Sequence, residues 1–371
     1  MASRQSRRQF LGGSILGGAA ALPGALPGQA RPEAAAESET PRAHMVQMIN
    51  GFRMAQMLHV AAKLRIADEL AQGPRTVAEL ASATQAHTDS LYRLLRTLAG
   101  MGVFAEEPDL RFRLTPSAEL LRSGTPDSIR ALAEVAGEEW MWRPWGALLD
   151  TVRTGETAFD RLYGKNTFEW FKEHPAAARI FDEFQAQNTA MTADEVAAAY
   201  DFSAARTIVD VGGGEGVLIA TLLRRNPSLH GILFELEHVI ASARTKLDRA
   251  IAARCALAAG DFFQAVPEGG NLYVLKSILH DWDDNRCGLI LRNCRRAMTG
   301  DSKVLVVEEI ICGRNLPCLA KEADIQMMVR NGGRNRTDRE YRDLLAKSGF
   351  ASARVIPSRV GPSIIEAVPR G

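Results

Sequence analysis

The segment Asp210-Val211-Gly212-Gly213-Gly214-Glu215-Gly216 sets the architecture that we predict for this chain. It follows the apolar, β-branched run Thr207-Ile208-Val209 and precedes an apolar-periodic segment from Val217 to Leu223. This order predicts a buried strand, a glycine turn and the start of a helix. Glycines permit positive φ angles and close approach of a ligand to the backbone, and free N–H groups at a helix start bind anionic or polar groups.

The spacing of these glycines separates two classes of nucleotide-binding loop. The dinucleotide fingerprint requires G-x-G-x-x-G/A, and counting from Gly212 its third glycine position holds Val217. The pattern that begins at Asp210 is D-x-G-x-G-x-G, which resembles the first motif of S-adenosylmethionine (SAM) methyltransferases. A glycine turn without a ligand is the alternative that this segment alone leaves open.

Two later strand ends carry side chains of the kind that bind a nucleoside. The run Gly231-Ile232-Leu233-Phe234 ends in Glu235, where a second strand of a nucleotide-binding α/β fold presents a carboxylate to a ribose diol. A third run ends in Ala259-Gly260-Asp261-Phe262-Phe263, which places Asp261 to accept from an adenine amino group and Phe262 to flank the ring. The alternatives are a solvated loop carboxylate and a strand-end turn with a core aromatic residue.

A histidine and a glutamate follow the next two apolar runs. Asn271-Leu272-Tyr273-Val274-Leu275 leads into a polar stretch that contains His280, and Lys303-Val304-Leu305-Val306-Val307 ends in Glu308. In open α/β sheets, chemistry lies outside the carboxyl ends of the strands. We therefore interpret His280 as a candidate base that Glu308 orients and stabilises in its charged form. A lone histidine is more often a hydrogen-bonded structural residue, which remains the alternative.

Taken together, these segments resemble the plant and bacterial small-molecule O-methyltransferases, which include the caffeate, acetylserotonin and anthracycline methyltransferases. The likeness covers residues 42–371, and the run His280-Asp281-Trp282 is its most specific part. The segments that match in order and spacing are Asp210–Gly216, Glu235, Gly260–Phe263, Lys276–Asp284, Glu308 and Gly332–Thr337.

The resemblance implies a fold, a cofactor and a set of site residues. The fold class is α/β: a Rossmann-like class I methyltransferase sheet, mostly parallel with a C-terminal antiparallel hairpin, preceded by a helical winged-helix dimerisation domain. The activity is SAM-dependent methylation of a hydroxyl on a small aromatic or polyketide-like molecule by a homodimer, with His280 as general base. The residues implied in SAM binding are Asp210, Gly212, Gly214, Glu235, Asp261, Phe262 and Lys276, with Ser277 nearby.

One position departs from the family pattern. The Gly-Gly-Lys/Arg-Glu-Arg-Thr segment usually places a second carboxylate beside the histidine, and this chain has Asn335 there. An amide carbonyl can orient an imidazole but cannot neutralise an imidazolium. We therefore expect His280 to be a weaker base than in typical members, with Glu308 as its main support. The departure also keeps open a SAM-binding hydroxylase or decarboxylase, since such relatives are known.

The N-terminal residues resemble an export signal. Ser6-Arg7-Arg8-Gln9-Phe10-Leu11 is similar to a twin-arginine signal, and Gly28-Gln29-Ala30 is a plausible cleavage site. We predict a signal over residues 1–30 and a flexible linker over 31–41, hence a periplasmic or extracellular protein. Its glycines and prolines make this run a poor membrane helix. A cytoplasmic protein with an incidental Arg-Arg is the alternative, which the cytosolic synthesis of SAM favours.

We assign residues 42–125 to the winged-helix domain, 126–200 to a helical region around the substrate pocket, and 201–371 to the methyltransferase domain. Apolar positions from His44 to Leu70 predict a helix pair buried against more than one neighbour. Thr76 and Glu79 form a capping-box pattern, a helix follows over Thr88–Leu98, and a hairpin completes the wing.

Composition excludes several classes of protein. The 371 residues contain 45 Lys+Arg and 44 Asp+Glu, a balance that argues against a strongly basic nucleic-acid surface. The five cysteines form no C-x-x-C pair, so we expect mostly buried thiols and no metal site. A winged-helix regulatory protein with a vestigial enzyme domain is the rival from another class, although Arg93 and Arg96 offer its second helix little positive charge.

Overall fold

The computed structural model describes residues 40–359 and 361–370. The predicted signal and nearly all of the predicted linker therefore lie outside the described residues. The chain divides into two units, 1–49 and 50–371, and the first is described only from residue 40 onward.

The helices and strands of the described residues follow one another as expected for a helical domain and then an α/β domain. The helices are α1 (Pro41–Lys63), α2 (Ile66–Glu69), α3 (Val77–Thr84), α4 (Thr88–Gly100), α5 (Pro116–Glu119), α6 (Arg130–Gly137), α7 (Glu139–Gly146), α8 (Leu148–Thr154), α9 (Ala158–Tyr163), α10 (Thr167–Glu173), α11 (Pro175–Ala199), α12 (Val217–Arg225), α13 (Glu237–Lys246), α14 (Arg249–Ala252), α15 (Asp284–Ala297), α16 (Leu319–Arg330) and α17 (Asp338–Lys347). The strands are β1 (Arg75–Thr76), β2 (Phe104–Glu107), β3 (Arg111–Leu114), β4 (Thr207–Val211), β5 (His230–Glu235), β6 (Cys255–Ala259), β7 (Leu272–Lys276), β8 (Lys303–Glu308), β9 (Phe350–Ile356) and β10 (Ser363–Pro369).

The winged-helix pattern is present in the structure. Thr76 caps α3, and its side chain and that of Glu79 form the reciprocal capping box. Helix α4 buries Leu91, Leu95 and Leu98 on one face, because residues three and four apart project from the same side of a helix. Strands β2 and β3 form the antiparallel wing, and β1 pairs with the other edge of β3.

Helix α1 differs from the expected burial. Ala61 and Ala62, near its C-terminal end, are buried, whereas Phe52 and Val60 are exposed. In the 40–49 unit, Met45, Val46, Met48 and Ile49 are all exposed in the single chain. The apolar periodicity correctly predicted a helix, but it could not tell whether another part of this chain or a second copy covers it.

Between the wing and the sheet, six helices, α6 to α11, are rich in aromatic residues. Trp140, Phe159, Phe171 and Phe181 are buried in one cluster. Trp140 packs edge-on against Phe171 with ring centres 5.1 Å apart, an arrangement that aromatic quadrupoles favour. Most aromatic side chains of this region therefore contribute to a core, although Trp142 and Trp145 are exposed.

The C-terminal part is a seven-stranded sheet in the order β6-β5-β4-β7-β8-β10-β9. The first five of these strands are parallel, and β10 runs antiparallel to both β8 and β9. Strand order reverses between β4 and β7, and ligands bind at such switch points outside the carboxyl ends of the strands. The predicted fold class, a mostly parallel class I methyltransferase sheet with a C-terminal antiparallel hairpin, is confirmed.

Cysteine burial agrees in part with the expectation. Cys255, Cys287 and Cys294 are buried thiols, whereas Cys312 and Cys318 are partly exposed, and all five are free. Over residues 40–359 and 361–370, no group of His, Cys, Asp or Glu side chains is arranged to hold a metal ion. No helix within those same ranges is long and apolar enough to cross a membrane.

Candidate active site

A cavity of about 540 Å³ opens at the carboxyl ends of the parallel strands. This volume is in the range that encloses a nucleoside-sized ligand. All eight side chains or glycines that the sequence assigned to SAM line it: Asp210, Gly212, Gly214, Glu235, Asp261, Phe262, Lys276 and Ser277. The helical region contributes further lining residues, among them Phe168, Phe171, Phe181, Asp182 and Thr189.

The loop after β4 needs its glycines for two reasons. Gly212 has φ of 71°, a left-handed conformation that other residues rarely adopt. A Cβ on Gly212 would also lie 2.5 Å from Cδ1 of Ile278, so that side chain would have to move. Gly214 directs its N–H toward Glu235, whose Oε2 accepts at 3.2 Å. The loop thus turns sharply beneath the cavity and joins the ends of β4 and β5.

Main-chain N–H groups hold the carboxylate of Glu235, and each of its oxygens can still accept another hydrogen bond. Its Oε1 accepts from the N–H of Leu236 at 2.7 Å and its Oε2 from the N–H of Gly214 at 3.2 Å. Burial raises the pKa of this carboxyl, while these two N–H groups oppose the rise. Each carboxylate oxygen can accept a second hydrogen bond. Two adjacent hydroxyls, as in a ribose diol, therefore suit the free side of this group.

The loop after β6 is rigid where it lines the cavity. Asp261 Oδ1 accepts from the N–H of Phe263 at 2.8 Å, and the carbonyl of Phe262 accepts from Asn293 Nδ2 at 2.7 Å. The rings of Phe262 and Phe263 pack edge-on with centres 4.9 Å apart. This arrangement presents an aromatic face and a carboxylate edge together, which suits a flat heterocycle that carries an amino group.

Buried charges lie at the ends of β4 and β7. Burial raises the pKa of Asp210 to about 7, and its Oδ2 has no hydrogen-bond partner among the described residues. Burial likewise lowers the pKa of Lys276, whose Nζ donates to Thr189 Oγ1 at 3.3 Å. Ser277 follows with φ of 56°, a strained conformation for a residue with a side chain. An orphaned buried acceptor beside open space indicates that a ligand completes this end of the cavity.

Asp182 of α11 is a cavity residue that the sequence did not reveal. Burial and the nearby charges of Glu215 and Glu235 raise the pKa of Asp182 to about 7. It lies in the middle of a helix, outside every motif, so only the fold brings it to the cavity. Asp182, Glu215 and Glu235 are among several carboxylates that line this cavity. They favour a ligand with positive charge, and SAM carries both a sulfonium and an ammonium group. The residues present therefore fit this cofactor.

His280 lies on a short 3₁₀ turn, Leu279–Asp281, that follows β7. Its Nδ1 is 3.1 Å from Glu308 Oε2, as expected, and its Nε2 is 3.7 Å from Asp281 Oδ1. Burial alone lowers the pKa of His280, but the charges of Glu308 and Asp281 outweigh it and raise this pKa to about 9. Asp281 is a second carboxylate beside the imidazole. The expectation that His280 is a weaker base than in typical members of the family stays a prediction.

Glu308 also shapes the turn that carries the histidine. It is fully buried at the end of β8, and its Oε1 accepts from the N–H groups of Ile278, Leu279 and His280 at 3.1, 2.8 and 3.2 Å. Three N–H donors therefore converge on one carboxylate oxygen. One oxygen therefore positions the main chain while the other faces the imidazole.

Arg336 holds the same turn from the opposite side. Its guanidinium donates to the carbonyls of Leu279 and Trp282, each at 3.0 Å, and to Asp284 Oδ1 at 2.7 Å. Gly333 packs directly beneath, since a Cβ there would lie 2.2 Å from the carbonyl oxygen of His280. The sequence placed both residues in a family segment without assigning them a task. Their contacts show that the segment positions the histidine.

Asn335 lies in that segment but faces elsewhere. Its Nδ2 donates to the carbonyl of Glu309 at 3.1 Å, and its N–H donates to Asp324 Oδ1 at 3.0 Å. Its Oδ1 is buried and has no partner among the described residues. No hydrogen bond joins Asn335 to His280 within residues 40–359 and 361–370. A catalytic task for Asn335 therefore stays a prediction.

The three proposed catalytic residues lie behind the cavity wall. His280, Glu308 and Asn335 do not line the cavity, whereas Asp281 and Trp282, the two residues that follow the histidine, do. Trp282 stacks on Phe168 of α10 with ring centres 5.2 Å apart. The structure thus places the imidazole, whose side chain is 17% exposed, next to the part of the cavity wall that Asp281 and Trp282 form.

Comparison with known proteins agrees with this geometry. The sequence profile of the O-methyltransferase domain matches residues 145–351, and that of the O-methyltransferase dimerisation domain matches residues 46–124. The chain belongs to the O-methyltransferase family. Members of this family are SAM-dependent, and SAM is the cofactor of this O-methyltransferase.

Similar proteins cover nearly the whole of the O-methyltransferase. Phenazine O-methyltransferase PhzM of Lysobacter antibioticus is 46% identical over 88% of this chain and 95% of its own length. The mitomycin biosynthesis 6-O-methyltransferase of Streptomyces lavendulae is 39% identical over 87% of this chain and 93% of its own. The structure of human N-acetylserotonin methyltransferase in complex with SAM has a TM-score of 0.83 at 25% identity, covering 91% of this chain and 100% of its own.

Proposed function

We propose that this O-methyltransferase methylates a hydroxyl of a small aromatic or polyketide-like molecule, with His280 as general base. The observation that carries the proposal is the ion pair of His280 Nδ1 with Glu308 at 3.1 Å, directly behind a cavity suited to SAM. Relatives named for phenazine and mitomycin, both ring systems, support the substrate class. The rings of Phe168, Phe181 and Trp282 on the cavity wall suit a flat apolar molecule.

Bound SAM supplies an electrophilic methyl group on a sulfonium. The task of the protein is then to orient a hydroxyl toward that methyl and to take its proton. Because Nδ1 of His280 faces Glu308, the Nε2 atom is the one that receives the proton. Glu308 and Asp281 stabilise the imidazolium that results. A phenol has a pKa near 10, so a base with a pKa of about 9 takes its proton at little cost.

A homodimer is part of this proposal. The dimerisation-domain match over residues 46–124 supports it, as does the exposed apolar surface of Met45, Val46, Met48 and Ile49. Exposed apolar patches of this kind mark interaction surfaces. We expect Met48→Glu combined with Ile49→Glu to give a monomer in light scattering coupled to size exclusion. A dimer that persists at micromolar concentration would place the interface elsewhere.

Export is the proposed location. Arg7 and Arg8 support it through their likeness to a twin-arginine signal. We expect Arg7→Lys combined with Arg8→Lys to retain a tagged chain in the cytoplasm of a twin-arginine-competent host, while the unchanged chain reaches the periplasm. Equal cytoplasmic retention of both would favour the cytoplasmic alternative.

The decisive experiment for methyl transfer uses the full chain, SAM with a labelled methyl group, and a panel of hydroxylated phenazines, naphthols and anthraquinones. We expect label in an organic-soluble product, and a loss on the order of a hundredfold or more in His280→Ala. The dissociation constant for SAM should stay unchanged in that variant. Product chemistry without transferred label would favour the hydroxylase or decarboxylase, and specific duplex binding without SAM binding would favour the regulatory protein.

A further inference from the structure

Two cysteines in the segment between β8 and α16 lie close enough to react with each other. The main-chain N–H of Cys312 donates to Sγ of Cys318 at 3.3 Å, and a side-chain hydrogen bond also joins the two thiols. Both residues are partly exposed, so a small reagent in solution reaches them. Five residues separate them in the sequence, which is why no C-x-x-C pattern marks them as a pair.

The turn between the two cysteines is held by its own contacts. The N–H of Leu316 donates to the carbonyl of Gly313 at 3.3 Å, and Asn315 has φ of 58°, a left-handed conformation that asparagine tolerates in turns. Nζ of Lys321 donates to the carbonyl of Gly313 at 2.9 Å and to that of Leu316 at 2.7 Å. The two sulfurs are therefore kept together by the fold of the segment.

The two thiols differ in acidity, as thiol–disulfide exchange requires. Cys318 is the N-cap residue of α16, where the positive end of the helix dipole stabilises a thiolate. Burial raises the pKa of Cys318, but hydrogen bonds from Cys312 and Lys321 outweigh burial and lower this pKa. The hydrogen bond with Cys318 raises the pKa of Cys312, whose Sγ donates to the carbonyl of Leu316 at 3.2 Å. Cys318 is thus the nucleophile of the pair.

The other three thiols of the chain are unsuited to this chemistry. Burial raises the pKa of Cys255 to about 11 and the pKa values of Cys287 and Cys294 to about 12. The thiolate is the reactive form of cysteine, and a thiol with so high a pKa holds almost none of it at neutral pH. Among the five cysteines, reactivity is therefore concentrated in the pair at the start of α16.

We propose that Cys312 and Cys318 form an oxidation site whose oxidant is a low-molecular-weight disulfide, such as glutathione disulfide. The thiolate of Cys318 attacks one sulfur of the oxidant, which forms a mixed disulfide and releases one thiolate. Cys312 then loses its proton and attacks Sγ of Cys318, which forms the bond between the two cysteines and releases the second thiolate. The chain gives up two protons and two electrons, and the oxidant is reduced to two thiols.

The bond closes a ring over residues 312–318 at the start of α16. Ile311, directly before this ring, donates its N–H to the carbonyl of Arg336 at 3.0 Å. The ring is therefore joined to the segment that holds the His280 turn. No residue from 312 to 318 lines the cofactor cavity, so the oxidation site and the proposed methyl transfer can be tested separately.

The test exposes the reduced full chain to glutathione disulfide, alkylates the remaining thiols and digests the product with trypsin. We expect peptides 304–314 and 315–321, which trypsin separates at Arg314, to appear as one disulfide-linked species in mass spectrometry. Dithiothreitol should return the two separate peptides. In the reduced native chain, alkylation of Cys318 should be on the order of a hundredfold faster than that of the buried cysteines, because their thiolate fractions differ by about that factor.

Two single variants separate the roles of the two sulfurs. Cys312→Ser should give no linked peptides and should stop at the mixed disulfide on Cys318. Cys318→Ser should react with the oxidant on the order of tenfold more slowly, because it lacks the more acidic thiol. The matched control is Cys255→Ala, which removes a buried thiol and should leave the linked species unchanged.

Three results would overturn the oxidation site. They are two free thiols in the wild type after exposure to the oxidant, a mixed disulfide on Cys318 that persists in the presence of Cys312, and a disulfide that joins two copies of the chain. Non-reducing electrophoresis distinguishes the last of these from the expected bond. None of these results would affect the labelled-methyl assay of the proposed function.

Discussion

The cofactor cavity and the His280 turn lie side by side but are built in opposite ways. The cavity is open, and its carboxylates keep acceptor capacity free, as Glu235 does with one N–H on each oxygen. The turn is closed, and buried side chains hold its main chain: Glu308 accepts three N–H groups, and Arg336 donates to two carbonyls. Substitutions in the cavity should therefore change ligand binding alone, whereas substitutions in the turn should change base strength and folding together.

Glu308→Gln should have the largest effect. The amide removes the charge that raises the pKa of His280, and an NH₂ group facing Nδ1 selects the tautomer in which Nε2 is protonated and cannot act as a base. We expect kcat to fall on the order of a hundredfold to ten-thousandfold. The dissociation constant for SAM, measured by calorimetry, should change little. A large loss of SAM binding would show that the cofactor cavity and the His280 turn do not act separately.

The pH profile sharpens the same prediction. Because the pKa of His280 is about 9 and the base must be neutral, kcat/KM of the wild type should rise with pH up to about 9. In Glu308→Gln this limb should move to lower pH. The folded pKa lies above the ordinary value of 6.5, so protonation of His280 stabilises the fold below about pH 6.5, and this contribution is lost as pH rises through about 9. If kcat/KM of the wild type instead levelled off near pH 6.5, the charges that we assign to Glu308 and Asp281 would be contradicted.

Arg336→Met should come next and should act on stability first. It leaves the buried carbonyls of Leu279 and Trp282 without donors, at a cost of about 2–5 kcal/mol in the free energy of unfolding. Arg339→Met, which removes an exposed arginine three residues further on, is the control and should cost almost nothing. Urea titration measures both. A stable Arg336→Met with normal kcat would show that the turn does not need this support.

Glu235→Gln should have a smaller effect, confined to the cavity. The amide keeps one acceptor oxygen but replaces the other by a donor, which conflicts with the N–H of Gly214 or Leu236. We expect the dissociation constant for SAM to rise about tenfold, the equivalent of about 1.4 kcal/mol. At saturating SAM, kcat should stay near that of the wild type. A fall in kcat without a change in affinity would place Glu235 among the residues that serve chemistry.

Asn335→Glu should have the smallest effect. If Asn335 makes His280 a weaker base than in typical members, a glutamate here should raise turnover on a phenol. The gain should be limited, because Asp281 already lies 3.7 Å from His280 Nε2. We expect at most a severalfold gain, measured as kcat at fixed pH with a naphthol. Lower turnover would show that the added charge disturbs Asp324 and Glu309, which now bind Asn335.

The sequence predicted the cavity better than the turn, for a physical reason. Cavity residues such as Gly212, Glu235 and Asp261 follow strands directly, and the ends of parallel strands meet at one edge, so local pattern implies spatial proximity. The turn depends on contacts between segments up to 57 residues apart, such as Arg336 with Leu279. Asp281 directly follows His280 in the sequence, but only the geometry of the turn brings its carboxylate toward Nε2 of the imidazole. Asp182 lies in a helix with no motif at all.

The double engagement of Glu308 limits how the chemistry of this protein can be altered. One carboxylate both folds the main chain around the histidine and determines how readily that histidine accepts a proton. Any replacement of Glu308 that changes the pKa of His280 therefore also changes the backbone around the histidine. The pH at which the enzyme works cannot be altered at this position without altering the turn. The adjustable positions are those that reach the imidazole without holding its backbone, and Asp281 is one of them.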